Sequence, residues 1–344
     1  MSVDLDEKFM RLALAEASKG IGQVSPNPAV GAILVHNGHV IARGYHRASG
    51  LPHAEVECLA AAGGHSLGKA TLYVTLEPCS TTGRTPPCTA AIARAGLKRI
   101  VIGAIDKNPA HHGRAVDELR AAGIQVSVGV LGEDCARLNE AFNHWIVTGR
   151  PFVIAKCGMS LDGRLTRLPN ESRWITSAAA RRHARQLRAE VDAILIGAET
   201  LRRDNPRLTS RGIRGAKQPR RVVLSRSGNL PETSHLFTDR FAARTLVYRR
   251  KKLQSVLEDL GRKEVTSVLI EGGGNLLSQA FAARLVDKVQ FYVAPLFTGG
   301  PVPAVGGRGA ASTGGGAHLR NVHYERIGSD LCVSGYPRWA DQAE

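Results

Sequence analysis

The 344-residue chain contains no run of about 18 consecutive apolar residues, so no segment reads as a membrane-spanning helix. Its first ten residues, MSVDLDEKFM, are acidic and lack a basic-then-apolar layout, so no secretory leader is expected. No internal repeat is present. A disordered or collagen-like composition is absent too: 43% of residues are hydrophobic and 22% charged, ordinary values for a globular protein. Acidic residues are the scarce charge, with 30 Asp and Glu against 46 Lys and Arg and a formal net charge of +16.

Such an excess suits either a nucleic-acid surface or a pocket for small anions. A nucleic-acid surface concentrates its charge on a face or stripe, and here it is scattered. The densest runs, RRHARQLR at 181–188 and RRKK at 249–252, are expected in helices as solvated faces. Neither a nucleic-acid nor a membrane partner is therefore expected. The six cysteines, in a chain with no leader, are expected as reduced thiols in the cytoplasm. Cys58, Cys135, Cys157 and Cys332 sit in apolar contexts and read as small core residues. Cys79 and Cys88 do not.

At roughly 150 residues per domain, the length indicates two domains. The first half alternates helix and strand. Asp4 followed by Glu7 signals a helix start, and Phe9, Leu12, Ala13 and Ala17 share one face. Strands at 29–35 and 40–44 flank Asn37-Gly38, a hairpin signal. Helix is expected over 54–62, 113–122 and 133–147 and after Cys88, and strand over 71–76, 99–103 and 124–130. This pattern predicts a three-layer α/β domain. Thr148-Gly149-Arg150-Pro151 punctuates the chain, which sets domains of 1–148 and 149–344. The second half restarts with a strand at 152–157 and a helix at about 177–189. Strands at 193–197, 221–225, 244–248 and 266–270 follow. Segment 299–317 holds eight glycines in 19 residues and reads as a loop.

Residues 53–55 read His-Ala-Glu, and residues 77–88 read Glu-Pro-Cys-Ser-Thr-Thr-Gly-Arg-Thr-Pro-Pro-Cys. Each cysteine begins or precedes a helix, where the dipole favours a thiolate. His53, Cys79 and Cys88 supply three ligands, which leaves a tetrahedral Zn²⁺ one open position for water. Zinc lowers the pKa of that water toward about 7. Glu55, beside a ligand, can take the water proton and return it to a leaving amine. Zinc nucleobase deaminases use this arrangement, with H-x-E and P-C-x-x-C. Here eight residues separate the cysteines instead of two. A structural zinc would need a fourth ligand, for which His46 and His65 are the nearest candidates. A tRNA or nucleoside deaminase predicts P-C-x-x-C, and a zinc-stabilised nucleic-acid-binding protein leaves Glu55 unexplained.

The motifs Ser25-Pro26-Asn27-Pro28-Ala29-Val30-Gly31, Pro52-His53-Ala54-Glu55, Glu77-Pro78-Cys79 and Gly83-Arg84-Thr85-Pro86-Pro87-Cys88 resemble the bifunctional riboflavin-biosynthesis deaminase–reductase family. So do Ser160-Leu161-Asp162-Gly163, Ser172-Arg173-Trp174-Ile175-Thr176, Asp204-Asn205-Pro206-Arg207-Leu208-Thr209 and Glu271-Gly272-Gly273-Gly274-Asn275 in the second half. The resemblance covers about residues 5–338. It implies a cytidine-deaminase-like α/β/α domain followed by a dihydrofolate-reductase-like α/β domain. It also implies one zinc per chain, NADPH, a small phosphorylated pyrimidine substrate and a homo-oligomer of two or four copies. The first reaction would deaminate a diaminopyrimidinone bearing a phosphoribosylamino group, and the second would open and reduce its ribose.

By resemblance, Asn27 contacts the first substrate, and Asp106-Lys107-Asn108-Pro109 forms a pocket loop. Gly113-Arg114-Ala115 departs from the family's usual second glycine. In the second half, Ser172, Arg188, Leu208, Arg211 and Glu271 contact substrate, Arg188 and Arg211 matching a phosphate bidentately. Lys156 assists ring opening, and Lys156 and Glu271 are the catalytic pair. Met159, Trp174, Thr200, Asp204 and the segment Gly273, Gly274, Asn275, Leu276, Leu277, Ser278 and Gln279 contact the cofactor. No G-x-G-x-x-G follows a strand in the required context, which excludes a Rossmann site. Instead 271–277 opens a helix after a strand, where small residues admit a phosphate to the helix N-terminus.

Overall fold

A computed structural model describes residues 3–64, 66–82, 86–165 and 174–339. Ser172, Arg173, His65 and Gly83-Arg84-Thr85 lie outside the described residues. The chain divides into two compact units, Met1–Gly149 and Arg150–Glu344.

In the first unit, strands β1 (Gly31–His36), β2 (His39–Tyr45), β3 (Thr71–Leu76), β4 (Arg99–Ala104) and β5 (Gln125–Val128) form one sheet of order β2-β1-β3-β4-β5. β1 runs antiparallel to β2 and β3, and β3, β4 and β5 are mutually parallel. The Asn37-Gly38 turn closes the β1–β2 hairpin, both residues taking positive φ. Strand alternation divides the core into two layers. Ile33, Val35, Tyr73 and Val101 pack beneath α1 (Val3–Ser18), with Phe9, Met10 and Ala13, and meet Cys135 of α5 (Gly132–Leu138). Ala32, Leu34, Leu72 and Ile100 face α2 (Ala54–Ala61), α3 (Cys88–Arg94) and α4 (Arg114–Ala121), through Cys58, Ile92, Val116 and Leu119.

The helix expected over 133–147 is two helices. α5 stops at Leu138, and α6 (Glu140–Thr148) starts after Asn139. The break has a cause. Asn139 is buried and its side chain pairs both ways with one backbone residue, accepting from Ala29 N at 2.8 Å and donating to Ala29 O at 2.9 Å. A regular helix would not aim that amide at the 25–31 loop.

Gly44 on β2 fixes how closely α2 can sit. A Cβ at this position would lie 2.4 Å from both Ala54 O and Cys58 N. Gly44→Ala must therefore push α2 outward. The expected result is a loss of about 1–3 kcal/mol, typical of overpacking, and reduced metal content in the variant. Thermal unfolding with metal analysis checks both. An unshifted transition with full metal would refute the close-packing account.

In the second unit an eight-stranded sheet has the order β12-β13-β11-β6-β10-β7-β8-β9. The strands are β6 (Phe152–Ser160), β7 (Ala193–Gly197), β8 (Arg220–Ser225), β9 (Thr245–Arg249), β10 (Ser267–Ile270), β11 (Lys288–Ala294), β12 (His318–Ile327) and β13 (Asp330–Arg338). β6 through β11 pair in parallel, and β13 and β12 add antiparallel at one edge. Helices α7 (Ala178–Glu190), α8 (Ala198–Asp204), α9 (His235–Thr238), α10 (Leu253–Arg262) and α11 (Gly274–Ala282) connect them. Ser177 caps α7, its hydroxyl accepting from Ala180 N. The 249–252 run is not helical as expected. Arg249 ends β9, Arg250 takes a positive φ, and Lys252 only caps α10. Sequence reading also passed over α8, α10 and the three strands β11–β13. Cys157 and Cys332 are buried, as are Cys58 and Cys135.

Candidate functional site

In the first unit, three chain segments converge where the parallel strands end. His53 caps the start of α2 in extended conformation, and Cys88 is the first residue of α3. Cys79 follows β3 after Glu77-Pro78. His53 Nδ1 lies 3.5 Å from Cys79 Sγ and 3.3 Å from Cys88 Sγ, and the three donor atoms lie within 4.8 Å of one another. Tetrahedral zinc at normal bond lengths needs donors about 3.5–3.8 Å apart, so the donor set and its spacing fit that ion. Among the described residues, this is the one cluster of three or more metal-ligating side chains. The Cys79 thiol is pulled down to about 4, first by the hydrogen bond from the Cys88 thiol, then by His53 and the Cys88 backbone N–H, while burial opposes the shift.

Glu55 is only 3% exposed, in the first turn of α2. Burial pushes its carboxyl above the ordinary carboxylate range. His46 does not join the ligands as a fourth. Its Nδ1 lies 3.1 Å from Pro52 O; a carbonyl only accepts, so that nitrogen carries the proton. Its Nε2, also at 3.1 Å, then accepts from Asn27 Nδ2. The pairing orients the Asn27 amide and leaves its oxygen for another donor. Sequence reading gave His46 no such role. Its position one residue after β2 carries no local signal.

Glu77 builds the neighbouring loop. Its buried carboxylate accepts from Asp106 N (3.2 Å), Gly113 N (2.9 Å) and Ala115 N (3.0 Å). Ala115 is fully buried and still makes its bond, so the missing second glycine costs the loop nothing visible.

In the second unit a cavity of about 500 Å³ opens along the ends of the parallel strands. Of the expected substrate residues, Arg188, Leu208, Arg211 and Glu271 line it, as does Lys156. Of the expected cofactor residues, Trp174, Thr200, Asp204, Gly273, Gly274, Asn275 and Leu276 do so. Met159, Leu277, Ser278 and Gln279 are not among the lining residues. Leu277 is wholly buried in the core and Met159 packs against it. Ser278 sits beneath Gly307, and Gln279 bonds back to Asn275 O. Gly158 and His235 line the cavity without having been anticipated, and Arg181 and Asn205 line it as well. The Gly-rich segment has a structural part here. A Cβ on Gly274 would lie 2.2 Å from Pro303 O, so the loop lies directly on the first turn of α11. That turn, with two side-chain-free positions at the cavity wall, suits a phosphate at a helix N-terminus.

Glu271 is the electrostatic centre. Arg188 grips it with two bonds, Nε to Oε1 at 2.5 Å and Nη2 to Oε2 at 2.7 Å, and Lys156 Nζ stands 3.8 Å from Oε2. Burial alone would push this carboxyl up. The Arg188 and Lys156 charges outweigh it and bring the group down to about 2. Arg188, expected as a phosphate ligand, thus commits two of its donors to Glu271. Of the basic residues near the cavity, Arg203 pairs with Glu199 at 2.6 Å, and Arg181 stacks on Trp174 with its guanidinium 4.7 Å from the ring centroid.

Residues 151–333 match the family described as the RibD C-terminal domain, and residues 3–104 the cytidine and deoxycytidylate deaminase zinc-binding region. The chain is 41% identical to the riboflavin biosynthesis protein RibD of Synechocystis, over 96% of each chain. The solved structure of Acinetobacter baumannii RibD, form 1, superposes with a TM-score of 0.90 at 32% identity, covering 98% of this chain and 100% of that one. A Thermotoga maritima structure, named a diaminohydroxyphosphoribosylaminopyrimidine deaminase/5-amino-6-(5-phosphoribosylamino)uracil reductase, superposes with a TM-score of 0.88 at 34% identity, covering 98% and 99%.

Proposed function

This chain belongs to the RibD family of bifunctional riboflavin-biosynthesis deaminase–reductases, and we propose that each activity runs at one of the two centres described above. The observation that carries the division is the separation of chemistries. The three metal-ligating groups and Glu55 lie in the first unit, and the Lys156–Glu271–Arg188 cluster lines a cavity in the second. We place the boundary between the two activities at residues 148/149.

The deaminase substrate is 2,5-diamino-6-(5-phosphoribosylamino)pyrimidin-4(3H)-one. His53, Cys79 and Cys88 would hold zinc, which when bound polarises a water and brings its pKa toward about 7. Glu55 takes a proton from that water and delivers it to the departing ammonia, so the ring amino group is exchanged for oxygen. Asn27 accepts from a substrate N–H with the amide oxygen that His46 leaves unengaged.

The reductase substrate is 5-amino-6-(5-phosphoribosylamino)uracil. Thr200, Asp204, Trp174 and the start of α11 would hold NADPH, which supplies the hydride to the sugar carbon. Lys156 gives a proton to the ring oxygen as the sugar opens, yielding the ribityl chain. Glu271, an anion under all ordinary conditions, holds that lysine in place, its Oε2 3.8 Å from Lys156 Nζ. Leu208 and Arg211 would meet the phosphorylated sugar, and Ser172 is assigned to the same substrate by resemblance alone.

We also place the chain in the cytoplasm as a homo-oligomer of two or four copies. The six free cysteines support a reducing compartment, and the exposed Leu161, Phe297 and Tyr324 side chains of the second unit support self-association. Among the described residues, no helix is long and apolar enough to cross a membrane.

Incubating the purified protein with the diaminopyrimidinone phosphoriboside tests the whole reading by mass spectrometry. Deaminated product should form without NADPH, and the ribityl product only with it. Cys88→Ser is expected to lose zinc, deamination and part of the first unit's stability together, because bound metal stabilises the folded state. Full zinc retention with normal deamination in that variant would refute the ligand set.

A further inference from the structure

We propose that Arg221 is a positioning residue of the reductase cavity, a buried guanidinium that holds two of its wall segments by their backbone carbonyls. The inference rests on reading that cavity as the reductase site. It concerns a residue that touches neither substrate nor cofactor.

Arg221 is the second residue of β8 and is 1% exposed, between Ile194 of β7 and Thr245 of β9. A charged side chain so deep in a sheet needs several partners to offset its lost hydration. Its Nη1 donates to Asp239 Oδ2 at 2.8 Å and to Arg207 O at 3.4 Å, and its Nη2 donates to Leu236 O at 2.9 Å. The two carbonyls belong to different walls of the cavity. One wall carries Arg207, Leu208 and Arg211, and the other carries His235.

Neither wall is itself a strand, and the second has a bond to the sheet besides Arg221, from Thr245 Oγ1 of β9 to Leu236 O at 2.8 Å. Between α8 and β8 the chain forms no helix or strand, and α9 is a single turn. The walls are tied to each other by Asn205 Oδ1, which accepts from His235 N at 2.8 Å. The far end of the first wall is tied by Ser210, which bonds to Gln218 and Lys217. Between these ties Leu208 takes φ +47, in the left-handed region that favours glycine, with its side chain buried. Such a conformation persists only where the surroundings over-determine it. The Arg207 carbonyl, one peptide ahead of Leu208, is the group Arg221 holds. A lysine could not reproduce this arrangement, because a single ammonium lacks the planar fork that spans two carbonyls and a carboxylate.

Without the guanidinium, the Arg207 peptide is released and Leu208 can relax. Arg211 then moves relative to the Lys156–Glu271 pair. Thr200, Asp204 and the first turn of α11 stand on other elements, so the cofactor side of the cavity keeps its geometry. The defect should therefore fall on the phosphorylated substrate and spare NADPH.

Three variants test this: Arg221→Met, Arg221→Lys and Asp239→Asn. Each is assayed for the reductase KM toward phosphoribosylaminouracil and toward NADPH, for kcat, and for thermal unfolding. Both Arg221 variants are expected to raise the substrate KM about tenfold or more, with the NADPH KM within about twofold of wild type. Asp239→Asn removes the charge partner and keeps both carbonyl bonds. It should lower the unfolding temperature and leave both KM values within about threefold. Three results would overturn the proposal: a folded Arg221→Met enzyme with wild-type substrate KM, an Asp239→Asn variant whose substrate KM rises as far as that of Arg221→Met, or failure of both Arg221 variants to give a folded second unit, which would make Arg221 a core-stability residue. Wild-type protein that oxidises no NADPH with this substrate would overturn the reductase reading itself, and is thereby distinguished.

Discussion

Glu55→Gln is expected to abolish ammonia release from the diaminopyrimidinone substrate while leaving NADPH oxidation with the deaminated substrate near the wild-type rate. The substitution keeps side-chain size and leaves His53, Cys79 and Cys88 in place, so zinc content should not change. It removes the buried carboxyl in the first turn of α2, two residues from His53, that is assigned the proton transfers. Loss of a general acid–base group typically costs about 10²–10⁴-fold, and more where one group serves both transfers, as here. The reductase machinery lies wholly in the second unit, so its rate is the internal control. Loss of both reactions in a folded, zinc-loaded variant would show that the chemistry is divided differently.

Arg188→Met should have the second-largest effect, on stability and reduction together. It leaves Glu271 buried with only Lys156 at 3.8 Å. Removing one partner of a buried pair costs about 3–5 kcal/mol, because the remaining charge is stranded. The pH dependence follows from the depressed Glu271 carboxyl, which moves from an ordinary 4.5 to about 2. A carboxyl with a lowered folded-state pKa binds its proton more weakly when folded than when unfolded. Its contribution, about 3 kcal/mol, is therefore full above about pH 4.5 and is lost as the pH falls toward about 2. In the variant, much of that contribution is already gone. The stability gap between wild type and variant should be widest near neutrality and close as the pH drops from about 5 to about 2. Urea unfolding of both proteins across that range measures it. A gap that stays constant or widens in acid would show that Arg188 does not act through Glu271.

The deaminase centre was legible in the sequence because its signals are local. His53-Ala54-Glu55 opens one helix and Cys88 opens another, and helix starts are marked by short-range backbone preferences. What supports the centre was not legible. Asn139 lies 110 positions from Ala29 and holds the loop that carries Asn27, and His46 orients Asn27 from 19 positions away. Arg221 sits in Arg-Arg-Val-Val-Leu, a context that reads equally well as a solvated strand end. The Gly-rich stretch reads only as a loop in sequence, and nothing local in it signals that Pro303 lies on Gly274.

The succession of strands in the first unit, the ligand types at the metal site and the family of the chain were determined by the sequence itself, since periodicity, turn residues and contiguous motifs each act within a few residues. Which charges meet was decided only by the tertiary structure. Lys156 and Glu271 come together because β6 and β10 are parallel neighbours with Ala155 opposite Ile270, one residue before each. Arg188 joins them on α7, 83 positions from Glu271 in sequence. No short stretch of chain encodes those distances. They follow from strand register, and register is set when whole elements bury their apolar faces against one another.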